Sequence, residues 1–468
     1  MLLFFAANII RAETNTFRFQ TITLPAGGSA SRFVDVDNDG RSDLLVIDPV
    51  EKKLWIYRQR TFGFTNTPDQ VLGLAPTTAW VAAYDVDPHP GVELLLSTAK
   101  GLFYHRQNGG VFEAEERMLI KADQVFTNED SPVLVSFGAT NAIPVISADH
   151  AVLYRRNGTF DWTPRQSITL TSQDSRWSSG RNEWTIGPNS SHSLNVQRSF
   201  RSERDKAADQ PENEAVRKIF EEMKKAISPY LAGTNRFDVN GDGRIDLVLW
   251  EFFPGLDPKT DIYLFLRGAD GKLPETPTQI LHCRGVPIPI GSTQPPLSPV
   301  ADLKADGTYQ IVLVELATSI TSASSLLDMA MSGGLDCALT VRAFNGARFS
   351  GTPDASVSIR TIMPIVTLAP VEDMNYWLFF ICGDFNGDGR PDLLVKRSAT
   401  QWSILYSTAD GRWFTPQPVI TFETPMQGEF EIRDLDGDGR SDIILRAHDE
   451  PRIFVYLSKP ESAKGTHP

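Results

Sequence analysis

Cysteine and histidine are scarce in this chain. Only three cysteines, Cys283, Cys337 and Cys382, occur in 468 residues, and the seven histidines are scattered. Three cysteines are too few for the disulfide framework of a small secreted domain. One bridge could form and would leave one thiol over, and no Cys–His pairing is evident. The composition therefore excludes a fold that depends on several disulfides.

Long apolar runs, basic stripes and enzyme motifs are also missing. The sequence contains no H-E-x-x-H, no G-x-S-x-G, no Walker loop and no dinucleotide fingerprint. The net charge is −13 without a basic stripe, so we expect no nucleic-acid partner. The apolar part of segment 1–15 is too short to cross a bilayer, and no other stretch approaches that length. We therefore expect no membrane span, and we interpret 1–15 as a signal or N-terminal segment.

One acidic pattern is abundant instead. Segment 432–447, IRDLDGDGRSDIILRA, alternates apolar and acidic residues up to a glycine and then continues into an apolar, β-branched run. This pattern predicts a strand, an acidic loop and a second strand. Intact copies of the loop, each nine residues long, are loop 1 (35–43), loop 2 (238–246), loop 3 (384–392) and loop 4 (434–442).

The four loops have the chemistry of a calcium site. Side-chain oxygens at positions 1, 3, 5 and 9 and a main-chain carbonyl at position 7 can converge on one cation, and glycine at position 6 permits the sharp turn. A plain acidic turn is the alternative, because Asp-Gly turns are common in hairpins. A helix-loop-helix calcium hand is excluded, because its position 12 would be Leu445 instead of glutamate. We predict about four Ca²⁺ ions, with the ligands Asp35, Asp37, Asp39, Arg41 and Asp43 in loop 1, Asp238, Asn240, Asp242, Arg244 and Asp246 in loop 2, Asp384, Asn386, Asp388, Arg390 and Asp392 in loop 3, and Asp434, Asp436, Asp438, Arg440 and Asp442 in loop 4.

Two further copies of the loop are eroded. In the copy at 85–93, His89 replaces an acid and Pro90 replaces the glycine of position 6, and in the copy at 302–310, Lys304 places a cation at position 3. We expect both copies to keep the turn and to lose most of their calcium affinity. His89 could instead bind a transition metal with the acids of its loop, but a relic loop explains the pattern better because the geometry of position 6 is gone.

A second repeated pattern lies downstream of the loops and predicts β-hairpins, each with a glycine-containing turn between two alternating segments. Counted by their first turn, the repeated units begin at Asp35, Asp85, near Gly138, Asp238, Asp302, Asp384 and Asp434. Seven units with a basic length of about fifty residues and four short strands predict a β-propeller.

The two ends of the repeat complement each other. The last unit ends with a third strand at 452–457, and segment 16–24 has the pattern of the missing fourth strand. We therefore predict an all-β, seven-bladed propeller in which an N-terminal strand completes the last blade. Such closure removes the open sheet edges of a linear array.

The loops, with the motif D-x-[DN]-x-D-G-x-x-D followed by an apolar run, resemble the calcium-binding repeats of FG-GAP and VCBS-type propellers, the integrin-α-like propeller repeats. The resemblance covers about 17–457 of the chain, interrupted by two insertions. It implies a calcium-binding propeller. It does not identify the activity, because this fold hosts adhesion, lectin and lyase functions.

The insertions divide the propeller. We predict blades 1–3 over 16–170, an insertion over 171–233, blades 4–7 over 234–458 and a tail over 459–468. Within the first insertion, which begins as a loop without periodicity, apolar residues at helical spacing predict an amphipathic helix at 211–231 between blades 3 and 4. A second insertion at 317–336 predicts a short helix ended by Gly333-Gly334. Either helix could dock on its own domain or on a partner.

Both insertions are expected on the face opposite the acidic loops, and loops on a rigid scaffold carry function. We therefore nominate the face with insertions 171–233 and 317–336 as the site for a protein or glycan ligand. We predict a non-enzymatic, calcium-stabilised module for binding or adhesion. Loops of this type suit the calcium levels found outside the cytoplasm, so we expect a secreted, periplasmic or cell-surface location. The alternatives are a propeller lectin and a lyase-like, polysaccharide-processing enzyme that would use Arg181, Arg198 and Arg201.

Overall fold

The computed structural model describes residues 17–24, 30–48, 50–124, 133–136, 142–146, 150–157, 159–169, 183–185, 232–253, 258–290, 297–316, 334–362, 379–398, 400–424, 428–447 and 451–459. Within these ranges the chain forms strands and turns, without a helix, and so without a helix that could cross a membrane. The all-β class is confirmed. The predicted helix at 211–231 and most of the insertion at 317–336 lie outside the described residues.

The strands before residue 186 are β1 (Phe17–Thr23), β2 (Ala30–Val34), β3 (Asp43–Asp48), β4 (Lys53–Tyr57), β5 (Gln70–Gly73), β6 (Trp80–Tyr84), β7 (Glu93–Thr98), β8 (Gly101–Asn108), β9 (Val111–Lys121), β10 (Val133–Ser136), β11 (Ala142–Ile146), β12 (His150–Asn157), β13 (Thr159–Thr169) and β14 (Glu183–Thr185). Sheet 1 is β2-β3-β4-β5. Sheet 2 has the order β14-β10-β6-β7-β8-β9, and sheet 3 is β11-β12-β13.

The strands after residue 231 are β15 (Ala232–Phe237), β16 (Asp246–Phe253), β17 (Lys259–Phe265), β18 (Gln279–Arg284), β19 (Ile288–Pro289), β20 (Leu297–Ser298), β21 (Val300–Ala301), β22 (Gln310–Leu316), β23 (Gly334–Ala343), β24 (Ala355–Ile362), β25 (Phe379–Cys382), β26 (Asp392–Lys396), β27 (Gln401–Leu405), β28 (Ile420–Glu423), β29 (Gly428–Arg433), β30 (Asp442–Ala447) and β31 (Arg452–Ser458). Sheet 4 is β15 to β18, sheet 5 is β21 to β24, sheet 6 is β25 to β28, and sheet 7 is β29-β30-β31-β1. Strands β19 and β20 form a separate pair.

Successive sheets share apolar cores. Sheets 1 and 2, for example, share a cluster that includes Leu45, Leu54 and Leu94. Equivalent clusters join sheet 2 to 3, 4 to 5, 5 to 6, 6 to 7, and 7 to 1. Strands β3 and β7 are buried at every residue because neighbouring sheets cover both of their faces. This stacking of antiparallel sheets in chain order is consistent with a β-propeller.

The N-terminal strand completes the last sheet, as the sequence predicts. Strand β1 pairs antiparallel with β31 along its whole length, from Phe17 opposite Ser458 to Thr23 opposite Arg452. Its Ile22 belongs to the core between sheets 7 and 1. The two ends of the chain therefore meet in one sheet.

The third unit departs from the prediction of four strands in one sheet. Strand β10 pairs in parallel with β6 and with β14, whereas β11, β12 and β13 form a sheet of three. The segment between β10 and β11 contains no carboxylate that could tie these strands together, unlike the acidic loops of other units. Strand β14 lies in the insertion 171–233, in the part where the sequence predicts a loop without regular structure.

Two smaller expectations also change. Strand β23 begins at Gly334, so Gly334 is a strand residue and not a helix cap, and the insertion predicted at 317–336 is shorter at its C-terminal end. The three cysteines are buried and free, so the single bridge that the sequence permits does not form.

Three glutamines join neighbouring sheets by hydrogen bonds. The side-chain amide of Gln70 in sheet 1 accepts from the N–H of Phe112 in sheet 2 at 3.0 Å and donates to its carbonyl at 2.6 Å. Gln279 binds Phe349 of sheet 5 in the same way, at 2.8 Å in both directions. Gln20 makes the equivalent pair of bonds from β1 to sheet 1. Each side-chain amide thus makes two hydrogen bonds with the main chain of the neighbouring sheet, as a residue of a paired strand would.

Candidate metal loops

The residue at position 9 anchors each acidic loop. In loop 1, Asp43 Oδ2 accepts a hydrogen bond from the N–H of Val36 at 3.2 Å, and its Oδ1 accepts one from the N–H of Gln59 at 2.8 Å. Since Gln59 follows β4, the carboxylate ties the loop to the end of the third strand of its sheet. The same two bonds, 2.7 to 2.9 Å long, occur in the other intact loops at Asp246, Asp392 and Asp442. All four carboxylates are buried.

Burial raises the pKa of these carboxyl groups. The pKa of Asp43 and that of Asp392 rise from 3.8 to about 7, and the pKa of Asp442 rises to about 8. Desolvation is the largest cause, and the charges of other acids in the same loop add to it, whereas the main-chain N–H groups act in the opposite direction. The pKa of Asp246 is raised for the same reasons.

The acids at positions 1, 3 and 5 converge in two of the four loops. Carboxylate oxygens at these positions lie within 4.8 Å of one another in the sets Asp35, Asp37 and Asp39, and Asp434, Asp436 and Asp438. The corresponding residues of loops 2 and 3 are Asp238, Asn240, Asp242, Asp384, Asn386 and Asp388. There the asparagine Nδ2 donates to the carboxylate of position 5 at 2.8 and 2.9 Å. Every one of these side chains offers an oxygen, the atom that Ca²⁺ prefers.

Two oxygen atoms of loop 1 have no hydrogen-bond partner among the described residues. They are Asp35 Oδ1 and Asp37 Oδ1, and both are buried. Their sister oxygens accept from Gly40 N–H at 3.0 Å and from the Arg58 guanidinium at 2.9 Å. A buried acceptor without a partner costs about 1–3 kcal/mol, and more when it is charged. These two atoms fit a hard cation, whose ligands are oxygen lone pairs.

Positions 6 and 7 complete the turn. The φ of the glycine at position 6 lies between 82° and 85° in all four loops, a left-handed conformation that favours glycine. The arginine at position 7 pairs with the acid at position 5, as Arg41 does with Asp39 at 2.7 Å and Arg440 with Asp438 at 3.1 Å. Arg244 and Arg390 form the same pair in their loops. The sequence predicts a role only for the main-chain carbonyl of these arginines, and that role stays a prediction.

The eroded loop at 85–93 keeps part of the anchor. Glu93 at position 9 accepts from the N–H of position 2 at 2.9 Å, while its other oxygen has no partner in the described part of the chain. Arginines now reach the remaining acids, since Arg106 lies 2.7 Å from Asp87 and Arg156 lies 3.2 Å from Asp85. The turn is therefore kept, as expected, and the loss of calcium affinity stays a prediction.

The eroded loop at 302–310 also keeps its turn. Gln310 Oε1 accepts from the N–H of position 2 at 2.8 Å, and Gly307 has a φ of 80° and donates to Asp302 at 2.8 Å. Lys304 does not enter the loop as a ligand would. Its Nζ lies 5.1 Å from the centre of the Trp413 ring, a cation–π contact to sheet 6.

Loops 3, 4 and 1 contact one another in that order. The N–H of Ser441 in loop 4 donates to the carbonyl of Asp384 at 2.6 Å, and the N–H of Ser42 in loop 1 donates to the carbonyl of Leu435 at 2.7 Å. The sequence pattern does not predict these contacts. The two loops that donate these bonds have serine at position 8, whereas loops 2 and 3 have isoleucine and proline there. Three of the four candidate sites are therefore joined through their main chains.

Two solved structures are similar to the chain over most of its length. One belongs to the crystal structure of BBS1N in complex with ARL6DN, soaked with lead, with 9% identity, a TM-score of 0.31 and coverage of 96% of this chain and 98% of that chain. The other is a lectin of Agrocybe aegerita, described for its recognition of non-reducing terminal N-acetylglucosamine, with 13% identity, a TM-score of 0.30 and coverage of 92% and 85%. Both TM-scores are low, and neither structure says what this chain binds.

A search of the curated proteins found no match. A family model described as an FG-GAP-like repeat matches residues 35–88 and 384–445. The first match includes loop 1 and the first four residues of the eroded loop at 85–93, and the second includes loops 3 and 4. The chain therefore contains FG-GAP-like repeats in these two segments, as its acidic loops predict.

Proposed function

We propose that the chain is a calcium-stabilised, seven-bladed β-propeller that binds a protein or a glycan outside the cytoplasm. The observation that carries this proposal is loop 1, where the carboxylates of Asp35, Asp37 and Asp39 converge and two buried oxygens lack a partner among the described residues. A Ca²⁺ ion would satisfy both oxygens and offset the repulsion between the acids. The FG-GAP-like repeats support the same conclusion.

Seven sheets of three or more strands support the blade count in the described part of the chain. Shared cores join six of the seven successive sheet pairs, including sheet 7 with sheet 1. Strand β1 closes the series. A ring of this kind leaves only short, protected sheet edges, and the acidic loops fix the first turn of four of its sheets.

The ligands that we propose are the side chains of positions 1, 3, 5 and 9 and the carbonyl of position 7 in each intact loop. At position 9, each oxygen of Asp43 already accepts one N–H, and each retains a second lone pair for an ion. The role of calcium would be structural: it holds the turn between two strands and neutralises clustered charge.

Metal counting and thermal unfolding test the calcium proposal. The purified full chain, equilibrated with calcium and desalted, should carry about four ions, and excess chelator should lower its melting temperature by many degrees. Calcium added back beyond the chelator should restore the melting temperature. A chain with no bound calcium and an unchanged melting temperature would show that the acidic loops are only turns.

The ligand-binding surface is proposed from the order of the connections. Strand β22 ends at Leu316 and β23 begins at Gly334, so this insertion joins the second and third strands of sheet 5. In an antiparallel sheet this connection lies at the end opposite the first turn, where the acidic loops lie. The insertion 171–233 precedes the first strand of sheet 4 in the sequence, so we propose that it lies at the same end as the insertion of sheet 5.

A glycan array tests the binding function. Retention of the calcium-loaded chain on defined glycans without turnover, and its loss after replacement of 317–333 by a short Gly-Ser linker, would support a binding face at the insertions. Unsaturated products that absorb in the ultraviolet would favour the lyase instead. The arginines of that alternative, Arg181, Arg198 and Arg201, lie outside the described residues.

A further inference from the structure

Loops 4 and 1 share a main-chain hydrogen bond beside their candidate ligands. The N–H of Ser42, position 8 of loop 1, donates to the carbonyl of Leu435, position 2 of loop 4, at 2.7 Å. That N–H belongs to the same trans peptide group as the carbonyl of Arg41, the position-7 ligand that we propose for loop 1. A trans peptide group is planar, so its carbonyl and its N–H point in opposite directions. The bond to loop 4 therefore fixes the direction of the Arg41 carbonyl.

The acceptor of this bond is tied to the anchor of its own loop. The N–H of Leu435 donates to Asp442 Oδ2 at 2.8 Å, while its carbonyl accepts from Ser42. Leu435 also lies between two candidate ligands of loop 4, Asp434 and Asp436. A line of hydrogen bonds therefore runs from the position-9 carboxylate of loop 4, through Leu435, to the peptide group that carries the position-7 carbonyl of loop 1.

A second contact joins the two loops at their glycines. A Cβ atom at Gly437, position 4 of loop 4, would lie 2.7 Å from the carbonyl oxygen of Gly40, position 6 of loop 1. A side chain at Gly437 would therefore push the two loops apart. Position 4 of loop 3 is similarly close to loop 4, because a Cβ at Gly387 would lie 3.4 Å from Cγ of Arg440.

Loop 2 is intact but has neither contact. A Cβ at its position 4, Gly241, would meet no atom within 4 Å. Its position 8 is Ile245, and no residue of 238–246 makes a hydrogen bond to another acidic loop among the described residues. Loop 2 therefore separates the effect of the calcium motif from the effect of contact between loops.

An ion in one loop should prepare the next loop for its own ion. Without an ion, the acids of a loop repel one another, which opposes the compact turn. An ion in loop 4 would fix the main chain around Leu435, so part of the ordering that loop 1 needs would already be complete. Charge acts in the opposite direction, because the first ion makes the region less negative and attracts the second ion less. Salt at about 0.15 M screens charges beyond about 8 Å and leaves the hydrogen bond and the glycine contact in place.

We propose that calcium binds cooperatively to loops 4 and 1, and that loop 2 binds its ion independently. This coupling rests on the calcium sites of the proposed function and adds a link between two of them. Loop 4 belongs to sheet 7 and loop 1 to sheet 1, the two sheets at which the series closes. The pair would therefore respond to calcium as one unit at that junction.

Calcium binding to full-length variants tests the coupling. One chain keeps loops 1 and 4 by means of Asp238→Asn and Asp384→Asn. Adding Asp434→Asn leaves only loop 1, and adding Asp35→Asn leaves only loop 4. Equilibrium dialysis against calcium at about 0.15 M salt gives the binding constants. The coupling factor is the product of the two constants of the chain with both loops, divided by the product of the constants of the two single-loop chains. We expect a factor of about 5–150.

The same measurement on loops 1 and 2 is the matched control. Asp384→Asn with Asp434→Asn keeps these two loops, which do not contact each other. Two ions should bind, and the coupling factor should be close to one. A factor as large as that of loops 1 and 4 would contradict the assignment of coupling to contact between the loops.

Two substitutions test the contacts themselves in the chain with loops 1 and 4. Gly437→Asn introduces a side chain at the glycine contact, and loop 1 already has asparagine at position 4, Asn38, with a φ of 60°. Ser42→Pro removes the donating N–H, and loop 3 already has proline at position 8. Each variant should still bind two ions with a coupling factor close to one, whereas Gly241→Asn should leave the factor unchanged.

The outcomes separate this coupling from the proposed function. Absence of bound calcium from the parent chain would contradict the proposed function itself. Two ions bound to loops 1 and 4 with a factor of about one, or a factor unchanged by both contact variants, would leave the proposed function intact and overturn the coupling. If a chain with several substitutions fails to fold, the full chain with four intact loops serves instead. There Gly437→Asn should make the calcium-binding curve less steep and Gly241→Asn should not, and equal curves would overturn the coupling.

Discussion

Sheets 1 and 2 are neighbours with the same order of main strands, yet loop 1 and the eroded loop at 85–93 use their acids differently. Both bury a side chain at position 9, Asp43 or Glu93, that accepts the N–H of position 2. Asp43 accepts a second N–H at the end of the third strand, whereas one oxygen of Glu93 has no partner among the described residues. The turn of the eroded loop is therefore kept with only one of the two hydrogen bonds that the acid at position 9 makes in loop 1.

The charge balance is where the two loops differ most. In the eroded loop, Arg106 and Arg156 each pair with one acid. In loop 1, Arg58 pairs with Asp37 and Arg41 with Asp39, but buried oxygens of Asp37 and Asp35 lack partners in the described structure. In the eroded loop, two arginines therefore pair with the acids that would otherwise contact an ion. Within the same nine residues, the acid at position 9 therefore keeps the turn, and the acids at positions 1, 3 and 5 determine whether the loop has free oxygens for a cation.

The largest expected effect comes from removing the anchor. Asp43→Ala deletes two buried hydrogen bonds to a carboxylate and should lower the free energy of unfolding by about 3 kcal/mol, while Glu93→Ala deletes one and should cost about half as much. Urea unfolding of both variants, with calcium and with chelator, measures this. If the effect of Asp43→Ala vanished in chelator, position 9 would act mainly as a metal ligand and not as an anchor.

The next effect separates the cation from the turn. Asp35→Asn should remove one calcium ion per chain and, at free calcium one hundred times the dissociation constant, about 2.7 kcal/mol of stability. The matched change Asp85→Asn should leave the calcium count unchanged and cost less than about 1 kcal/mol, because it breaks a partly exposed ion pair. Metal analysis and urea unfolding of the two variants give both numbers. Equal calcium counts in the two variants would contradict the difference drawn between the loops.

A gain of function tests the same comparison in the other direction. The triple change His89→Asp, Pro90→Gly and Arg106→Gln gives the eroded loop an acid at position 5, the glycine of position 6, and an Asp87 without its arginine. We expect one additional calcium ion, detected by metal analysis. Arg106→Gln alone is the control and should add none. If the triple variant also gained none, charge and turn geometry would not suffice to make the site.

The smallest effect concerns acid sensitivity. Sheet 2 buries His105 at the position where sheet 1 has Tyr57. Burial lowers the pKa of His105 below 6.5, although the charge of Glu116 acts in the opposite direction. The unfolded chain therefore protonates this histidine first, and the contribution of His105 to stability should fall as the pH drops from about 6.5 through the lower pKa of the folded state. His105→Tyr should flatten this part of the curve of unfolding free energy against pH, and an unaltered slope would contradict the assignment.

The acidic loops, the hairpins and the closing strand could be predicted because each is written in a local pattern. Alternation and glycine at position 6 specify the loops and hairpins locally, and the closing strand follows from the repeat, because the last unit lacks a fourth strand and segment 16–24 has its pattern. The contact of Gln70 with Phe112 could not be predicted in this way, because it depends on how two sheets stack.

Position 9 shows where the sequence predicts a residue but not its environment. The motif identifies Asp43 as an acid in a loop, and the structure shows a buried acceptor of two main-chain hydrogen bonds. The third unit shows the opposite case. Its strands were predictable from their β-branched runs, but the pairing of β10 with β6 was not, because strand pairing is chosen among competing partners after the strands exist.

The pairing of β1 with β31 has a consequence for how the protein is made. During synthesis β1 leaves the ribosome long before β31, because the paired residues Phe17 and Ser458 are 458 − 17 = 441 positions apart. Until then sheet 7 is incomplete, and β1 exposes an unsatisfied backbone edge together with Phe17 and Ile22, which are buried in the folded protein. Contacts of such sequence separation fold slowly. We therefore expect the dependence on chaperones to concentrate at the junction between β1 and β31.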